Sequence, residues 1–181
     1  MGLGGKEAGH FCTDMKEPSP TNIPQRLAPD KLRVLDVCQQ IFKLAEGVYQ
    51  YLSDIHREDP EVARMWGLLA IDKCNHAETF KMAVRLKGEG IAEVHVTAGD
   101  AAQILERMKA IPTGNSVNPP SAVEALRFAL RMEERLNHVH FRHVVTYYHE
   151  PDLHLMISTL RSGSTIIHLL TEEYVNLALF A

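Results

Sequence analysis

MWGLLAIDKCNHAETF, residues 65–80, is an apolar helical run that carries Asp72, Lys73 and His76 on or beside its buried face. Leu69, Asp72, His76, Phe80 and Ala83 follow steps of three and four, the spacing that lines side chains up on one stripe of a helix. Asp72 and His76 therefore sit one turn apart on the stripe that meets other helices. Polar groups cost free energy there unless they are paired, so this stretch calls for partners elsewhere in the chain.

Three other segments carry a polar residue on or beside an apolar helical stripe. Glu46 follows Ile41, Phe42 and Ala45 and precedes Tyr49 and Leu52. Glu133 follows Leu126, Ala129 and Leu130, with Glu134 as the neighbouring alternative in register. His168 follows Ile157, Leu160 and Ser164 and precedes Thr171 and Val175. In chain order the intruders read Glu, His, Glu, His on four successive helical patterns.

The flanking signals set the element boundaries. From Asp30 as N-cap, Leu35, Cys38, Phe42, Ala45, Tyr49 and Leu52 predict a first helix to about 56. Asp59-Pro60 opens a second, which runs to about 87 before Gly88. So short a connection makes the two an antiparallel pair. Between 88 and 120 the periodicity weakens, with an extended stretch at 93–97 and a short helix through Ala101, Ile104, Leu105 and Met108, as befits a crossover along a bundle. Ser121 with Glu124 is a capping-box pair opening a third helix to about 148. Asp152 caps a fourth over about 153–179, within which Gly163 is a tolerated interruption. The expectation is an all-α four-helix bundle over 30–181, two antiparallel pairs joined by a long crossover, preceded by a Gly- and Pro-rich arm at 1–29.

Composition narrows the class. A chain of 181 residues with 45% apolar and 23% charged content is long enough for one buried core and too apolar for disorder. No apolar run approaches the roughly 18 residues that span a bilayer. The net charge of -4, with scattered basic residues, gives no reason to expect nucleic acid or an anionic membrane. Cys12, Cys38 and Cys74 form no C-x-x-C pair, which argues against a disulfide framework or a zinc knuckle. With no basic stretch followed by an apolar one near Met1, the reading is a soluble, cytoplasmic protein. His138, His140, His143, His149 and His154 form a local concentration, of which His140 and His143 are spaced to share a metal.

The layout resembles the ferritin-like superfamily and is most similar to its rubrerythrin-related branch. In that family the first and third helices each give a glutamate, and the second and fourth each give a Glu-x-x-His pair, around two metal ions. Glu46 and Glu133 match the glutamate positions, and His76 and His168 match the histidines. Both bridging carboxylates are replaced: Lys73 stands three residues before His76, and Thr165 three before His168. The resemblance, so altered, implies one iron or zinc ion per chain held by Glu46, His76, Glu133 and His168, with Asp72, one residue out of register, either a substitute ligand or a partner for Lys73. It also implies a non-haem iron oxidoreductase acting on dioxygen or peroxide, with an electron donor protein and pairing into a homodimer or higher homo-oligomer. No catalytic residue is singled out. The alternative is a metal-free core, in which the Lys73 ammonium answers Glu46 or Glu133, in a non-catalytic bundle that works by association. Val34, Val48 and Ile55 are then candidates for a dimer face, and Tyr49 and Tyr51 for packing beside Glu46.

Overall fold

A computed structural model describes residues 26–111, 119–147, 157–158, 160 and 163–180. The chain is predominantly helical, in the order α1 (Pro29–Ile55), α2 (Pro60–Arg85), β1 (Ile91–Val94), α3 (Ala98–Lys109), α4 (Ala122–Asn137), α5 (Phe141–Val144), β2 (Val145–Tyr147) and α6 (Gly163–Phe180). Most of the arm expected at 1–29 lies outside the described residues.

The long pair forms for the reasons its sequence suggests. The cap of α1 is Ala28 rather than Asp30; Pro29 takes the first helical position, where its missing N–H is not needed, and Asp30 falls in the first turn, where a negative charge suits the helix dipole. In α2 the Asp59 side chain accepts from the Glu61 and Val62 amides, both at 3.1 Å. The two helices run antiparallel: Tyr49, late in α1, stacks on Trp66, early in α2, whereas Phe42 stacks on His76 and Phe80 further along. Leu35, Cys38, Ile41, Phe42, Ala45 and Leu52 of α1 are all buried, so this helix is the axis of the core. Val34 and Val48 are 3% and 2% exposed and Ile55 packs against the core, which corrects their expected role as a dimer face.

α2 ends on a left-handed turn. Lys87, Gly88 and Gly90 have φ of 53, 71 and 80°, and the Gly88 amide donates to Ala83 O at 2.8 Å. Leu27 lies against this turn, donating its own amide to Lys87 O at 3.1 Å. A Cβ at Gly88 would meet Leu27 Cγ and Cδ1 at 2.4 Å, so both the backbone angle and the space require glycine.

The crossover contains the expected extended stretch and short helix. β1 pairs antiparallel with β2, Val94 against Val145 and Ile91 against Tyr147, with an irregularity between Ile91 and Glu93. α3, capped by Thr97, packs on α1 through Ala101, Leu105 and Met108. α4 opens on the predicted capping box: the Ser121 amide donates to Glu124 Oε2 at 2.9 Å, and the Glu124 amide to Ser121 Oγ. These bonds hold the Glu124 carboxyl below its usual range.

Two boundaries depart from expectation. α4 stops at Asn137, some ten residues early, because Val144, Val145, Thr146 and Tyr147 are drawn off as a turn of helix and a strand that completes β1. Residues 157 and 158 are helical, Leu160 lies at a bend, and α6 begins at Gly163; the start expected at 153 lies outside the described residues. Gly163 therefore marks a boundary and not a tolerated interruption.

Candidate functional site: a buried ion-pair cluster

The structure brings Asp72, Lys73, His76 and Glu133 together where α2 meets α4, with Tyr49 of α1 closing the third side. Glu133 is 1% and Lys73 2% exposed. Lys73 Nζ donates to Glu133 Oε2 at 2.9 Å and to Asp72 Oδ2 at 3.1 Å. The Tyr49 hydroxyl donates to the other oxygen of Glu133 at 2.5 Å, and His76 Nε2 lies 3.7 Å from Asp72 Oδ2. Burial, and then the charge and hydrogen bond of Glu133, push the Tyr49 phenol well above its ordinary range, so it remains a donor.

One ammonium thus answers two carboxylates in a place that excludes water. Such an arrangement holds only when each charge is paired and its remaining lone pairs are satisfied. Here both Glu133 oxygens have donors, one charged and one phenolic. Tyr49 was expected beside Glu46; its hydroxyl goes to Glu133 instead. Glu134, the alternative in register, is exposed, so Glu133 is the inward carboxylate of α4.

The other two predicted ligands are elsewhere engaged. Glu46 turns along its own helix, with Lys43 Nζ at 2.8 Å from one oxygen and Gln50 Nε2 donating to the other at 3.2 Å. The His168 side chain is 74% exposed and lies 3.5 Å from Glu172 on the same helix. Within α6 it is Ile166 and Leu170, not His168, that are buried. This corrects the inward placement expected from the step Ile157, Leu160, Ser164, which assumed an unbroken helix through Gly163.

A third helix running to about 148 would carry His140 on the same helix as Glu133. Because α4 has already ended, it instead caps α5, its Nδ1 accepting from the Arg142 amide at 3.3 Å. Its ring meets His76 edge-on at 4.5 Å, while Phe42 stacks on His76 at 4.6 Å and 11°. His143 lies 5.6 Å from His140 and is exposed, as is His138; His149 and His154 lie outside the described residues. The contact of His76 with His140 was not legible in the sequence, since it depends on a chain reversal after Asn137.

The residues present do not fit a resident metal. The two oxygens of Glu133 are taken by Lys73 and Tyr49, and Asp72 is taken by Lys73. Glu46 and His168 find partners on their own helices. Among the described residues no group of three or more His, Cys, Asp or Glu side chains is placed to hold an ion. Away from the cluster, an apolar hollow of about 230 Å³ lies between α1 and the start of α4, lined by residues such as Val48, Leu52, Ile111 and Phe128.

Cys38 and Cys74 are free thiols. Burial pushes Cys38 up to about 12, in keeping with its place on the α1 core stripe. Among the described residues no helix is long and apolar enough to cross a membrane. Comparison with known proteins gives no significant match to a family model, a curated protein sequence or a solved structure.

Proposed function

We propose that this chain is a ferritin-like helical bundle in which the Lys73 ammonium takes the place of metal ions, and that it acts by association with another protein chain rather than by catalysis. The observation that carries this reading is the position of Lys73 Nζ, 2.9 Å from Glu133 and 3.1 Å from Asp72, with 2% of its side chain exposed. Two buried carboxyl groups that converge need a cation or a shared proton, and here the protein supplies an ammonium. The order of elements supports the family resemblance: a tightly joined antiparallel pair, a crossover holding β1 and α3, then α4 packed with α6. A role in holding register suits the cluster, because its bonds tie α1, α2 and α4 together at one level.

The test is thermal unfolding of the folded protein with and without excess iron(II) or zinc(II). A chain whose core supplies its own cation shows no shift. An ion bound at a hundred times its dissociation constant would add about 2.7 kcal/mol, raising Tm by about 5–10 °C in a domain of this size. Such a shift, abolished by His76→Ala, would sink the proposal in favour of a metal site.

A further inference from the structure

Six large apolar side chains are exposed among the described residues: Leu169 and Val175 lie on α6, while Leu68 (44%), Ile71 (60%), Met82 (41%) and Leu86 (47%) belong to α2 or its C-cap. The latter four are not scattered. With the exposed Arg64, Asn75, Glu78 and Arg85 they follow the steps 64, 68, 71, 75, 78, 82, 85, alternately four and three, on the face opposite the core residues Leu69, His76 and Phe80. The spacing is that of a helix seam, and Leu68, Ile71 and Met82 make three of its seven positions apolar.

We propose that this outer face of α2 pairs with the same face of a second copy of the chain, antiparallel about a two-fold axis between Asn75 and Glu78; the proposal rests on the association reading above and names its partner. Charge selects the antiparallel sense. The N-terminal end of α2 carries the exposed Glu58, Asp59 and Glu61 against Arg57 and Arg64, and the C-terminal end the exposed Lys81, Arg85 and Lys87 against Glu78 and Glu89, so the first end is net acidic and the second net basic. An antiparallel pair sets the acidic end against the basic one, whereas a parallel pair sets like against like.

The layers follow from that register. Ile71 meets Met82 of the second copy, Leu68 meets Arg85 and Leu86, and Asn75 meets Glu78, each contact occurring twice by symmetry. Glu78 brings no unpaired charge to the centre, since Lys81 on the same helix bonds both of its oxygens, at 3.0 and 2.9 Å. A polar layer between apolar ones is how coiled coils fix register at some cost in strength. α2 has 26 residues and so is about 39 Å long, and a face about 10 Å wide along it falls well short of the roughly 800 Å² per partner of a standard interface. The pair is therefore a weak one, dissociating as the protein is diluted.

Sedimentation velocity of the full chain from low to high micromolar concentration tests this. The wild-type protein moves from monomer to dimer, and Ile71→Lys or Met82→Lys, both at exposed positions and checked for native circular dichroism, weakens the dimer by at least about tenfold. Arg85→Glu with Lys87→Glu weakens it likewise, and adding Glu58→Lys and Glu61→Lys restores it. Failure of that restoration overturns the antiparallel register. A dimer indifferent to both Ile71→Lys and Met82→Lys overturns the face, and a monomer at every concentration overturns the second copy. Metal content measured on the same samples judges the Lys73 reading separately: one ion per chain would sink that reading, whatever the oligomeric state.

Discussion

Removing the Lys73 ammonium should be among the costliest single changes in this protein. Lys73→Met keeps the length and apolar stem of the side chain and deletes only the charge that faces Glu133 at 2.9 Å and Asp72 at 3.1 Å. Breaking a buried pair from one side leaves an uncompensated charge and costs about 3–5 kcal/mol. That is a large share of the 5–15 kcal/mol that holds a typical domain together. With a urea slope near 2 kcal/mol/M, a loss of 4 kcal/mol moves the unfolding midpoint down by about 2 M. Glu133→Gln alone also destabilises, since it leaves Lys73 with Asp72 only. The double variant should be markedly less destabilised than the sum of the two, with a coupling of about 2 kcal/mol or more, because the two groups answer each other. Equilibrium urea unfolding of the four proteins measures this directly. A Lys73→Met variant within about 1 kcal/mol of wild type, with no coupling to Glu133→Gln, would refute the pairing and the role given to Lys73.

Other expectations follow from the same cluster. Tyr49→Phe removes the phenol that donates to Glu133 at 2.5 Å and should cost about 1.5–3 kcal/mol, as hydrogen bonds to charged groups do, read by the same urea unfolding. The raised Tyr49 pKa means that the native state holds this proton longer than the unfolded chain; its stabilising share is complete below the unfolded value near 10 and is lost as pH climbs towards the native one. A spectrophotometric titration should accordingly find one of the five tyrosines silent until alkaline unfolding. Cys38, pushed up to about 12, should resist a thiol reagent at pH 8 in the folded protein and react once it is unfolded. Lys73→Glu replaces the cation by a third carboxylate beside Asp72 and Glu133, and zinc should then raise the Tm of the variant where it leaves the wild type unchanged.

The long antiparallel pair was legible because it is governed by local signals. Asp59-Pro60 and Ser121 with Glu124 are caps whose bonds close within three residues, and the α1 stripe from Leu35 to Leu52 is buried as its spacing demands. β2 was not, because Val144 and the residues after it also satisfy helical spacing; only the cluster of β-branched residues hinted at a strand, and its partner β1 lies some fifty residues earlier. That misjudged end carried His140 with it, from a helix face to the side of His76. His168 failed for a related reason. Its inward position depended on carrying one phase through Gly163, and the helix that starts there has its own phase, set by Ile166 and Leu170.

The ion-pair cluster itself lay half in view. The resemblance implies a bridging carboxylate where Lys73 stands, and a buried glutamate needs a partner for its charge, which left Glu46 and Glu133 as candidates for Lys73. Choosing between them required the relative height of α2 and α4. Lys73 meets Glu133, while Glu46, 9% exposed, stays with Lys43 on its own helix. Spacing along the sequence does not bring four acidic or imidazole side chains together when two of them, Glu46 and His168, find partners on their own helices.

Elemental analysis of untagged protein, purified without oxygen, tests the central claim most directly. The account predicts a folded chain with far less than one iron or zinc ion per molecule, which does not acquire one on incubation with either metal and dialysis. About one ion per chain, lost in the His76→Ala variant, would contradict it and show that Lys73 gives way to a metal.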